Sequence, residues 1–292
     1  MLKLKAQIRC AKYSHFFFDM IEYIRTILAE KEASSVIFKR NIVKEYLQIL
    51  TLSFFYSHNE YRSLIFYGGS ALRHCYELPR LSEDLDFVDI GKKISLKELT
   101  NDLVNFFEKK HRLPVTSKIQ KFRTILKFPI LHSLNLAKPS ESDFLFLKIE
   151  VYITFDFCKR YRIEIKPVFK FGESMLVRSF DLPTLMATKI RAILYRKWER
   201  TTRNGKVLAT VKGRDYYDLM WYLKQGIEPN INCIEGIKDR KELYKRLLEI
   251  VRKVDKASIR YDLESLVEDY AFVKTFSENA EEIISSLIEK LL

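Results

Sequence analysis

The chain has 292 residues, of which 47% are hydrophobic and 30% charged, a balance that argues against disorder and leaves room for two modest domains. Lys and Arg outnumber Asp and Glu by 51 to 38, giving a net charge of +13 and a pI near 9.4. A surplus of this size attracts polyanions such as nucleotides and nucleic acid, and fits poorly with a cationic substrate.

In chain order, residues 15–32 and 38–57 carry apolar positions at three- and four-residue spacing and predict amphipathic helices. "SLIFYGG" is a short apolar run closed by glycines, which predicts a buried strand entering a tight turn. A brief helix headed by Ser70 follows and runs to about Leu78, where Pro79 stops it. "EDLDFVDI" alternates polar and apolar residues as a strand does. Residues 95–110 predict another amphipathic helix. "KFRTILKFPI" and "DFLFLKIEVYITFDF" predict strands joined by a polar loop, and "RYRIEIKPVFK" a further strand that could pair with the one before it. Beyond this α/β core, over about 35–175, the pattern turns helical. Asp181 and Pro183 are helix-start signals, "GRDYYDLMWYLKQG" predicts a second helix ending at a glycine, and residues 235–292 are mostly helical.

Cys10, Cys75, Cys158 and Cys233 are scattered without a CxxC pair, and the five histidines are equally dispersed. This pattern suggests neither a disulfide framework nor a zinc site, and suits a reducing compartment. The basic N-terminal stretch lacks the apolar core of a signal peptide, and the longest apolar run, "YLQILTLSFFY", is too short to cross a bilayer. The expectation is a cytoplasmic protein with no membrane association.

The chemistry concentrates between Phe66 and Phe87. Asp84 and Asp86 stand two residues apart on a predicted strand, so both carboxylates point to one face, their Cα atoms roughly 7 Å apart. Carboxylates placed so repel one another unless a cation lies between them, and hard oxygen ligands suit Mg²⁺, with Mn²⁺ as a substitute. Upstream, Gly68, Gly69 and Ser70 form a strand-to-helix turn without Cβ bulk at its start, where helix N–H groups can meet a phosphate. A phosphate cradle and an acid pair in one short unit predict a nucleoside triphosphate site.

The segment "GGSALRHCYELPRLSEDLDF" resembles the signature of the AbiEii/AbiGii toxin family of nucleotidyltransferases, in the DNA polymerase β-like superfamily. The family pattern, roughly GG[ST]-x-L followed by R-x-S-x-D-x-D-[FL], is met at Gly68, Gly69, Ser70, Leu72, Arg80, Ser82, Asp84, Asp86 and Phe87. Weaker likenesses at "LKIEV", "TKIRAILYR" and "GRDYYDL" extend it over about residues 40–225. The resemblance implies metal-dependent nucleotidyl transfer by three carboxylates, Asp84, Asp86 and a third from a neighbouring strand. Glu150 matches the family's K-x-[DE] element, with Lys148 on the same strand face; Glu164 in "YRIEIK" is the rival. Lys189 matches the lysine of K-x-R-A-L and would reach the triphosphate, with Arg196 on the same helix face. Arg214, Asp215 and Asp218 match R-D-x-x-D, which would lock the helical half, although Arg214 and Asp218 could simply form a surface ion pair. The segment "KWERTTRNGKVLATVK" between these elements is a departure: it lengthens the link and is strongly basic, as a nucleic-acid contact would be.

The resemblance thus implies an α+β (mixed α/β) fold, a nucleotidyltransferase-type mixed β-sheet flanked by helices with a helical C-terminal half. The expected layout is a nucleotidyltransferase domain over 1–178 and a helical domain over 179–292. The expected activity is transfer of NMP from an NTP to RNA, tRNA included, by a toxin with an antitoxin partner. Transfer to a small molecule or protein, and nucleotide or RNA binding without turnover, are the alternatives.

Overall fold

The computed structural model describes residues 20–202, 204–205 and 207–292. The N-terminal stretch and the first part of the helix expected over 15–32 lie outside the described residues. The fold is mixed α/β, as expected: a multi-stranded mixed sheet flanked by helices, with a helical C-terminal half. Two compact units interleave along the chain. Among the described residues, one comprises 20–64 with Ser82–Ile153 and Pro167–Val177; the other comprises Ile65–Leu81, Thr154–Lys166 and the described part of 178–292.

In the first unit, residues 20–29 form α1, and α2 (Val36–Ser57) begins where the Ser35 hydroxyl accepts a bond from the Phe38 amide at 3.2 Å. Val43, Leu47, Ile49, Leu52 and Phe55 have almost no exposed surface, so α2 is buried around much of its circumference. Its buried polar groups are matched: Glu45 pairs with Lys170 at 2.8 Å, and the Gln48 amide donates to the Ser82 carbonyl at 2.9 Å. Strands β2 (Leu85–Val88), β3 (Thr116–Gln120), β4 (Arg123–Pro129) and β5 (Phe144–Tyr152) lie in the order β3-β4-β5-β2. The β2–β5 pairing is parallel and the other two antiparallel. Along β5, which lies against α2, Leu145, Leu147, Ile149 and Val151 are buried, while Lys148, Glu150 and Tyr152 face the other way. Helix α4 (Leu96–Asn105), capped by Ser95, covers β3 and β4.

In the second unit, β1 (Ile65–Tyr67) runs into α3 (Gly68–Cys75) and pairs in parallel with the end of β7 (Glu173–Phe180) through Phe66 and Ser179. Asp181 caps α5 (Leu182–Tyr195), as its sequence predicts. A small hairpin, β8 (Arg200–Thr201) and β9 (Val207–Ala209), precedes α6 (Gly213–Lys224). Helices α7 (Arg240–Val251), α8 (Lys256–Leu263) and α9 (Tyr270–Glu289) follow, each with an Asp N-cap. Helix α6 is the hub, packed against α5, α8 and α9.

The structure corrects several readings. The helix expected from Ser70 begins at Gly68 and ends at Cys75. Strand β6 (Ile163–Lys170) neighbours β7, not β5, through the turn Phe171–Gly172, both at positive φ. Cys158 and Cys233, both buried, form a disulfide across 75 residues.

Gly213 starts α6 because nothing larger fits: a Cβ there would stand 2.4 Å from the Cα of Ile259 on α8. Backbone offers no flexible side chain to move aside, so Gly213→Ala should cost about 1–3 kcal/mol. We expect a thermal midpoint lower by about 2–4 °C per kcal/mol. An unshifted melting curve would contradict the close packing of α6 on α8.

Candidate active site

The acids of the first unit sit where strand alternation puts them. Leu85 and Phe87 have no exposed surface, which turns Asp84 and Asp86 to the half-buried opposite face. The parallel register sets Asp86 beside Glu150, and Glu150 is in turn the register partner of Arg123 on β4. Adjacent strands are about 4.8 Å apart, so the Asp86 and Glu150 backbones are immediate neighbours. Cations balance these carboxylates. The Lys148 amine lies 3.0 and 3.1 Å from the two Asp84 oxygens, and the Arg123 guanidinium 3.3 Å from one Glu150 oxygen. The Tyr152 hydroxyl donates to the other Glu150 oxygen. Burial, and then that bond, raise the Tyr152 phenol far above its ordinary pKa, so it stays protonated as a donor. The Phe122 ring packs beside both partners, 4.6 Å from the Tyr152 ring and 5.0 Å from the Arg123 guanidinium. Ser82, tied to Gln48, begins this segment.

Among the described residues, no three or more His, Cys, Asp or Glu side chains converge as a ready metal-binding group. The donor set of Asp84, Asp86 and Glu150 nonetheless fits a small divalent cation. All three offer hard carboxylate oxygens, and an ion entering there would displace Lys148 from Asp84 and Arg123 from Glu150.

The remaining residues belong to the second unit. Gly68 adopts φ +79°, a backbone region that a Cβ disfavours, and Ser70 is fully buried. Arg80 has no exposed side-chain surface; its guanidinium grips both oxygens of Asp218 at 2.6 Å and donates to the Leu81 carbonyl at 2.8 Å. The Lys189 amine bridges Asp218, at 2.8 Å, and Asp215, at 3.0 Å, and Arg196 reaches the far oxygen of Asp215 at 2.8 Å. The chain Arg80–Asp218–Lys189–Asp215–Arg196 is therefore continuous. Burial pushes both carboxyls up, but Lys189 with Arg80 at Asp218, and Lys189 with Arg196 at Asp215, outweigh it and hold both below the ordinary carboxylate range. Arg214 does not pair with Asp218: it faces Asp262 on α8, whose carboxylate accepts from the Arg214 amide at 2.9 Å. Glu164 is engaged with Lys166 at 2.7 Å and Tyr76 at 3.1 Å.

Sequence reasoning did not single out Arg123, Tyr152 or Asp262. Tyr152 was within reach, two residues beyond Glu150 on one strand face. Arg123 and Asp262 depend on pairings that spacing does not encode.

A family model described as "Nucleotidyl transferase AbiEii toxin, Type IV TA system" matches residues 55–288. A match over most of the chain defines its class: it is a nucleotidyltransferase. The chain belongs to the AbiEii family of type IV toxin–antitoxin systems. Solved structures similar to it include a candidate nucleotidyltransferase from H. pylori, 18% identical at a TM-score of 0.45, with 86% of this chain and 97% of that one covered. Another is JHP933 from Helicobacter pylori, 18% identical at a TM-score of 0.44, with 86% and 94% covered. None of the curated proteins matches.

Removing one partner of a buried ion pair leaves the other charge desolvated, so Asp218→Asn should destabilise the fold by about 3–5 kcal/mol. Chemical denaturation would measure this, and a shift under 1 kcal/mol (about the worth of a surface pair) would contradict a buried lock. Carboxyls depressed in the folded state stabilise it above their unfolded pKa, near 3.8, and lose that contribution as pH falls through the lower folded values. Wild-type stability should therefore fall below about pH 4, and more steeply than that of the Asp218→Asn protein.

Proposed function

We propose that the protein transfers an NMP from an NTP to an RNA acceptor, tRNA included, with release of pyrophosphate. The observation that carries this reading is the register of Asp86 beside Glu150 on parallel strands, with Asp84 on the same face as Asp86. Asp84, Asp86 and Glu150 would hold Mg²⁺, for which Mn²⁺ could substitute. Bound there, the ion would offset negative charge on the phosphate oxygens and activate the acceptor hydroxyl. Glu150 is preferred to Glu164 as third carboxylate because it shares a register with Asp86, whereas Glu164 sits with Tyr76 and Lys166.

The acceptor oxygen forms a bond to the α-phosphorus as the bond to pyrophosphate breaks, and the hydroxyl proton passes to solvent water. In this reading Tyr152 and Arg123 fix the orientation of Glu150, and Lys148 that of Asp84. Gly68, Gly69 and Ser70 present backbone N–H groups to the phosphates, and Ser82 sets the entry to the acid strand. Lys189 supplies positive charge for the triphosphate, held by Asp215 and, through Asp218, by Arg80, while Arg196 pairs with Asp215 and Arg214 with Asp262. An antitoxin is the expected protein partner, in keeping with the family. We place the protein in the cytoplasm, where NTP and RNA occur. No described helix is long and apolar enough to cross a membrane. The Cys158–Cys233 bond is buried, which limits its access to reductants.

The test is incubation with each α-³²P-labelled NTP, Mg²⁺ and total RNA, resolved on a denaturing gel. Wild-type protein should label an RNA band. Asp84→Asn/Asp86→Asn should not, with an unchanged circular dichroism spectrum. Equal labelling by the double variant would overturn the assignment of these acids.

A further inference from the structure

The described end of the segment that lengthens the link between α5 and α6, from Val207 to Lys212, is anchored in the second unit. Ala209 is buried, β9 packs on α8, and the Thr210 amide donates to the Ser258 hydroxyl at 2.9 Å. At the foot of the β8–β9 hairpin a cavity of about 30 Å³ is lined by Arg196, Trp198, Thr210, Lys212, Asp215 and Tyr216, among others. It is too small for a nucleobase, and suits the oxygens of a single anionic group.

Arg196 lines the cavity with Lys212, and Arg214 lies close enough to act on the same amine, with Asp215 and Asp262 as the opposing carboxylates. Burial, and then the proximity of Arg214 and Arg196, lower the Lys212 amine's pKa; Asp215 and Asp262 only partly offset this. An anion between Arg196 and Lys212 would relieve that repulsion. Aromatic faces adjoin the same cations: the Lys212 amine is 5.7 Å from the Trp198 ring centre, and the Arg200 guanidinium 5.1 Å from that of Tyr261. Tyr261 is exposed. Cations interleaved with rings at more than one point suit a strand of nucleotides better than a single one, because successive phosphates and bases alternate in the same way.

We propose that the cavity between Arg196 and Lys212 is a phosphate subsite for single-stranded RNA, with Trp198 and Tyr261 offering their rings to its bases. This rests on the reading of RNA as the acceptor. It assigns acceptor binding to the hairpin of the second unit.

The test uses a short fluorescein-labelled single-stranded RNA, with anisotropy read at several salt concentrations and without NTP or metal. Lys212→Met should weaken binding about tenfold and reduce the slope of log K against log salt by about 0.7, the share of one phosphate contact. Lys212→Arg should restore both, and ATP affinity by calorimetry should be unchanged in either variant. Trp198→Ala should weaken RNA binding independently, which keeps the test decisive if Lys212→Met does not fold. RNA affinity that survives both substitutions overturns the subsite. Loss of ATP affinity with RNA affinity intact also overturns it, and gives the cavity to the triphosphate. RNA binding that behaves as expected in a protein that never labels RNA would leave the subsite standing and remove the transfer reading.

Discussion

The helical unit depends on the burial of one guanidinium. Arg80 ends the segment that carries the glycine turn, and it lies wholly out of solvent. A charge in that position is tolerable only when its donors are met, and Asp218 and the Leu81 carbonyl meet them. Other bonds follow the same path: the Leu81 amide reaches the Leu266 carbonyl at 2.8 Å, and the Tyr217 hydroxyl reaches the Pro79 carbonyl at 3.4 Å. The chain approaching the aspartates is thus held by main-chain and side-chain bonds rather than by secondary structure. Lys189, between Asp218 and Asp215, carries the constraint from α6 to α5.

The first unit solves the complementary problem, that of keeping carboxylates close together. Asp86 and Glu150 would repel across neighbouring strands, yet the strands are committed to that register by Leu85, Phe87, Ile149 and Val151 packed on the other face. Arg123 and Lys148 answer the repulsion from the flanks. Tyr152, held protonated by burial, adds a donor that never competes as a charge. The acids are in this way oriented in advance by the chain itself.

Much of this was legible in the sequence. Alternation in "EDLDFVDI" placed Asp84 and Asp86 on one strand face, the family resemblance singled out Glu150, and Asp181 marked the start of α5. The failures have physical causes. Strand β3 escaped notice because all its residues are exposed, so no apolar period marks it. Strand β7 runs straight into the α5 cap, and its turn with β6 holds Phe171 as well as Gly172 at positive φ, so a lone glycine was its only mark in the sequence. The four-residue spacing also allowed a plain surface pair between Arg214 and Asp218, but Asp218 is claimed by Arg80 and Lys189, and Arg214 turns to α8. The cysteine pair spans 75 residues and carries no spacing motif at all.

The interleaving of the two units also bears on how the protein is made. Arg80 and Asp218 are separated by 138 positions, and Ile65–Leu81 belongs to the unit completed by the C-terminal helices. On the ribosome, the residues before β2 emerge long before the helix that neutralises them. A nascent or prematurely terminated chain lacking α6 has no partner with which to bury Arg80, and contacts of such sequence separation form slowly. The glycine turn and its arginine therefore remain unsettled until synthesis has passed Asp218, so that the second unit assembles only after α6 has emerged.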